Sequence, residues 1–72
     1  MNRYEFQRAK RSYEAALRDL RNALRAHEMI GSERTAAALE LAMAVKDAAR
    51  DRYHELLREM QEQSFAQIGE EL

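Results

Sequence analysis

The 72 residues carry 12 Lys and Arg against 13 Asp and Glu, a formal net charge of −1, and no cysteine. A balance so close to neutral excludes a whole-molecule attraction to nucleic acid or anionic lipid, and the missing thiols exclude disulfides and thiolate metal sites. So short a chain makes one domain, residues 1–72, and a small core without staples rarely supplies more than ~3–5 kcal/mol of net stability, which leaves close helix packing or self-association to hold it together.

The first run opens with Asn2-Arg3-Tyr4-Glu5, where Asn2 can accept from backbone amides and Glu5 can reach back as in a capping box, so a helix is expected from about residue 3. Apolar positions then recur at Phe6, Ala9, Tyr13, Ala16, Leu17, Leu20, Ala23, Leu24, His27 and Ile30, a seam with a period near 3.5 residues. Large residues at 6, 13 and 20 alternate with alanines at 9, 16 and 23, which suits an interdigitating antiparallel neighbour.

No proline interrupts the chain, and the first of its two glycines falls at Ile30-Gly31-Ser32-Glu33. Gly31 can take the left-handed conformation that ends a helix, and Ser32 can cap the next, with Glu33 well placed in its first turn. A turn at 31–32 is too short to separate the helices. A second helix is expected over about 33–68, fraying at Gly69 and the acidic Glu70-Glu71-Leu72 end. Counting equally from the turn puts Leu24 near Leu39, Leu20 near Ala42, Tyr13 near Ala49 and Phe6 near Leu56, while residues beyond about Met60, including Phe65 and Ile68, outrun the first helix.

The stretch from Ala36 to Val45 is apolar on nearly every side, and such a helix is usually covered on more than one face. Leu41, Val45 and Ala48 fall on one flank, Leu39 and Met43 on the other. The expected fold is therefore all-α, an antiparallel two-helix hairpin completing a four-helix bundle as a homodimer, with Leu41, Met43, Val45, Leu57, Phe65 and Ile68 as the second, protein-binding interface.

Side chains that could carry catalysis are sparse. Asp51 and His54 have the i, i+3 spacing of helical di-metal sites, with Glu55 beside them, but those sites draw carboxylates from several helices and the first helix offers only Glu5 at that level. A solvated polar face is the simpler reading. His27, one turn before the bend, reads as an end cap or half-buried seam residue rather than a ligand or pH switch. His27-Glu28 and His54-Glu55 do not extend to a zinc-protease motif, because Gly31 and Arg58 stand where the second histidine belongs. Without a glycine-rich loop or nucleophile elbow, no enzyme, metal or cofactor is expected.

Charge is asymmetric between the helices. Residues 1–27 hold seven basic and three acidic side chains, net +4, whereas residues 33–72 hold five basic and nine acidic, net −4. This favours antiparallel docking within the hairpin or between copies, helped by pairs such as Glu14 with Arg18 and Glu55 with Arg58. Arg3, Arg11, Arg18, Arg21 and Arg25 gather away from the seam, interrupted by Glu14. Of these, Arg11, Arg18, Arg21 and Arg25 are the candidate face for phosphate or an acidic partner, since guanidinium offers a planar fork.

In size, single bend and alternating small and large seam residues, the chain resembles in outline the Rop-type plasmid RNA-binding hairpins, which form four-helix bundles and grip RNA with the first helix. It is also similar in outline to the small hairpin co-chaperones of type III secretion. The first resemblance implies an RNA-binding bundle, the second a cover for a hydrophobic partner; neither assigns a role to a residue. The expected function is non-enzymatic protein binding as an adaptor, inhibitor or co-chaperone, with RNA binding through the arginine face and structural assembly in a phage or secretion particle as alternatives. The opening residues lack a signal peptide's apolar stretch and no run is long enough for a membrane span, so a cytoplasmic location in a cell or phage host is expected.

Overall fold

The structure, a computed structural model, describes the backbone of residues 3–71 and the side chains of residues 3–64. It consists of two helices, α1 (Arg3–Ile30) and α2 (Glu33–Glu71), packed against each other as a hairpin. Its longest dimension is 60 Å and the other two are 15 and 14 Å. That length is the span of α2 alone, because 39 residues rising 1.5 Å each reach about 58 Å. α1 has only 28 residues, so α2 outruns it at the end away from the turn.

The turn follows from three adjacent residue types. Gly31 has φ of 65° and its N–H donates to the His27 carbonyl at 2.8 Å, the single backbone bond of a left-handed helix cap. Ser32 then caps α2 in a reciprocal box. The Thr35 N–H donates to Ser32 Oγ at 3.2 Å, the Ser32 N–H donates to Thr35 Oγ1 at 2.9 Å, and the Thr35 hydroxyl donates to the Ser32 carbonyl at 2.9 Å. Glutamate or glutamine usually takes the Thr35 role in such a box. Here the shorter threonine leaves room for His27, whose Nδ1 lies 2.9 Å from Thr35 Oγ1. With the hydroxyl proton on the Ser32 carbonyl, His27 Nδ1 is the donor in that pair. His27 is thus a half-buried end cap, tied to the next helix by a side chain rather than to the carbonyls of its own.

Three of the described residues are buried: Ala9, Ala16 and Leu56. Only Leu56, 2% exposed, is large. The equal-distance register is kept, and it brings a residue absent from the expected pairing into the centre. Tyr53 lies level with Ala9, its ring between Phe6 and Tyr13 at centroid distances of 5.4 and 5.7 Å and interplanar angles of 29° and 27°. Offset aromatic pairs at these distances contribute about 0.5–1.5 kcal/mol beyond the area they bury. The alternation of large and small on α1 makes the slot: Ala9 is the gap between two rings that the third ring fills.

Two expectations change. Leu24 and Ile30, assigned to the seam, are exposed, Ile30 by 69%. A straight helix drifts ~20° per heptad from a 3.5-residue repeat, so by Ile30 the seam has rotated off the partner. α2 runs through Gly69 to Glu71 rather than stopping at 68. One glycine costs about 1 kcal/mol against alanine in a helix, which weakens the helix without breaking it. The Asn2 cap lies outside the described residues.

Replacing the one large buried side chain should be costly. Leu56→Ala is expected to lose about 2–5 kcal/mol in urea unfolding followed by circular dichroism. A loss below about 1 kcal/mol would show that Leu56 is not the centre of the core.

Candidate protein interface

α1 is strongly amphipathic, whereas α2 is apolar over much of its circumference in its first half. The consequence is visible on one face of the hairpin. Leu41 and Val45, 67% and 50% exposed, border a groove of about 300 Å³ whose other wall is Ala16, Asp19 and Ala23 of α1, with Ala38 and Ala42 between. Along the same face, toward the open end, the cleft continues with a more polar lining, between Glu5, Arg8, Ala9 and Ser12 of α1 and Arg52 and Leu56 of α2. Beside Leu41 and Val45 the groove exists because α1 places Ala16 and Ala23, and α2 Ala38 and Ala42, along this flank, with no large apolar side chain from α1 to fill the space.

Of the residues expected at a second interface, Leu41, Met43 and Val45 are exposed as large apolar side chains. Met43 lies on the opposite flank from Leu41 and Val45, so the three do not form one patch. Leu57 is half-buried in the hairpin itself and offers only part of its surface. Phe65 and Ile68 lie outside the residues whose side chains are described.

A second feature of the seam went unread in the sequence. Lys46 occupies a seam position level with Ala16, and its side chain is only 19% exposed. Its stem lies along the apolar seam while the ammonium reaches Asp47 Oδ1 at 2.6 Å, as long cationic side chains do at a helix interface. The spacing 39, 42, 46, 49, 53 could have revealed both Lys46 and Tyr53. A lysine at a position otherwise apolar fixes register at some cost in stability.

Charge pairing divides the two helices. Among the described residues the ion pairs all fall on α2: Lys46 with Asp47, Arg50 with Asp47 and Asp51, and Arg52 with Glu55 at 3.4 Å. The expected Glu14–Arg18 pair is not formed, and Glu55 joins Arg52 instead of Arg58. Exposed pairs of this kind are worth only tenths of a kcal/mol, too little to order long side chains against their own entropy. Arg11, Arg18, Arg21 and Arg25 are all exposed, and no carboxylate among the described residues pairs with them. Arg11, Arg18 and Arg25 repeat every seven residues and so form a line with steps of about 10 Å.

The Asp51, His54, Glu55 group does not converge. Asp51 turns to Arg50, Glu55 to Arg52, and His54 lies against the Tyr53 ring at 5.8 Å. No cluster of three or more His, Asp or Glu able to hold a metal occurs among the described residues. No helix among them is long and apolar enough to cross a membrane. No protein-family model, curated protein or solved structure matches the chain.

The hydrogen bond and charge of Lys46 hold the Asp47 carboxyl below the ordinary aspartate range, with Arg50 adding to the effect and desolvation opposing it. A depressed carboxylate stabilises the fold fully above the ordinary aspartate value, and that contribution is lost as pH falls through the lowered one. A carboxyl-carbon titration by NMR should place Asp47 below the ordinary aspartate value, and Lys46→Met should return it toward that value. An Asp47 midpoint unchanged by Lys46→Met would contradict the pairing.

Proposed function

We propose that the chain is a non-enzymatic binding hairpin that works by helix packing, and that it completes a four-helix bundle with a second copy of itself through the Leu41–Val45 face. The observation that carries this reading is surface area. The accessible surface is 5956 Å², whereas a folded monomer of 8.4 kDa exposes about 4,600 Å². The excess, roughly 1,300 Å², exceeds the ~800 Å² that each partner contributes to an ordinary stable interface. Among the described residues, Leu41 and Val45 beside the groove contribute to it. An adaptor, inhibitor or co-chaperone role is the use we infer for such a surface: the same groove that accepts a helix of a second copy accepts an amphipathic helix of another protein.

A carboxylate in the groove should prevent this. Leu41→Asp is expected to convert a dimer to monomer by light scattering or analytical ultracentrifugation, with at least a tenfold loss of self-affinity, the equivalent of about 1.4 kcal/mol. A variant with the parent's mass at every concentration would remove Leu41 from the interface.

The unpaired arginine line favours a second reading, an RNA-binding bundle. Lysines and arginines that neutralise phosphates release counterions, so binding through Arg11, Arg18, Arg21 and Arg25 would weaken steeply with salt. The reading expects retention of the protein on RNA at low salt, lost on Arg18→Gln with Arg25→Gln. Absence of binding at low salt would dispose of it.

A further inference from the structure

Two twofold arrangements bring the Leu41–Val45 face against itself. In one the axis runs along the hairpin, both turns lie at the same end, and α1 of each copy packs on α2 of the other. In the second the axis crosses the hairpin, the turns lie at opposite ends, and α1 packs on α1 while α2 packs on α2. We propose that the second copy docks in the first way, with the turns together; this deepens the homodimer reading above and rests on it.

Size complementarity selects it. Rotation about the long axis preserves level, and Leu41 and Val45 line the same groove as Ala16 and Ala23. Each copy therefore offers its two large side chains to the small-residue wall of the other at the same height, the large-to-small fit that dense packing requires. The crossed arrangement centred on this groove lays Leu41 and Val45 on the partner's own large residues. It also sets alanines against alanines and leaves the space between the two α1 helices poorly filled.

Charge selects the same arrangement. The turns-together dimer puts the +4 segment of each copy on residues 33–60 of the other, which hold six acidic and five basic side chains, whereas the crossed dimer sets the two +4 segments against each other. Asp19, the one ionised side chain lining the groove, makes the difference local. It stands level with the midpoint between Leu41 and Val45, so the crossed axis brings it beside Asp19 of the partner subunit. In the turns-together dimer the two Asp19 side chains lie on opposite sides of the axis, each facing an apolar stretch of α2 at the rim of the interface.

The experiment is a dipolar distance measurement on the full chain carrying a spin label at Gln61→Cys, an exposed position outside the groove. Helices in a bundle lie 8–10 Å apart, so labels in the turns-together dimer should be separated by less than about 30 Å. Gln61 is eighteen residues from the Leu41–Val45 midpoint. The crossed dimer would therefore separate the labels by roughly 55 Å. A short distance alone supports the proposal. A long distance, or a mixture of both, in a sample of dimeric mass overturns the arrangement and leaves the homodimer standing. A monomeric mass with no dipolar coupling overturns both. Raising salt from 0.05 to about 0.5 M should weaken the turns-together dimer several-fold, and a dimer strengthened by salt would contradict it.

Discussion

Two rods lying side by side share a single line of contact, and everything else about this protein follows from that geometry. Each helix can turn only about a third of its circumference toward the other. The line is used efficiently: alanines at positions 9 and 16 let the backbones approach, Tyr53 fills the gap between Phe6 and Tyr13, and Leu56 is sealed. One large buried leucine among the described residues is nevertheless a small core. Burial of apolar area at about 25 cal/mol per Å² is the main force opposing chain entropy, and a hairpin limited to one contact line has little of it.

The same limit explains why α2 looks different from α1. α1 has its polar and apolar faces well separated, as a helix with one partner should. The first half of α2 is apolar on more sides than α1 can reach, and its surplus appears as Leu41 and Val45 beside a groove lined with alanines. Among the described residues the charges of α2 between Lys46 and Glu55 are mutually paired, while Arg11, Arg18, Arg21 and Arg25 of α1 are not. An apolar flank and an unneutralised basic line thus lie on different faces. The two proposed uses, helix packing and anion binding, do not compete for the same residues.

Much of this was legible in the residues alone. Gly31 followed by Ser32 specified a two-residue bend, because only those local conformations satisfy the ends of both helices. The exposure of Leu41, Met43 and Val45 followed from counting apolar positions against the arc one partner can cover. Tyr53 and Lys46 were not read, since a polar-tipped aromatic and a cation disguise seam positions when only apolar residues are counted. Thr35 escaped for a similar reason, as its role in the cap depends on a histidine eight residues away. Ile30 was misplaced because a 3.5-residue count ignores the slow rotation of a straight helix, whereas Leu24 lies on the opposite flank of the seam, where α2 covers it only in part.

Whether one copy has enough interior to stand alone is decided by thermal unfolding over a dilution series from about 100 µM to below 1 µM. Binding restricted to the folded state makes the midpoint depend on concentration. For a hairpin that needs its second copy, the midpoint should fall steadily with dilution and helicity should be lost as the dimer dissociates. A cooperative transition at the same temperature throughout, from a species of monomer mass, would contradict that need.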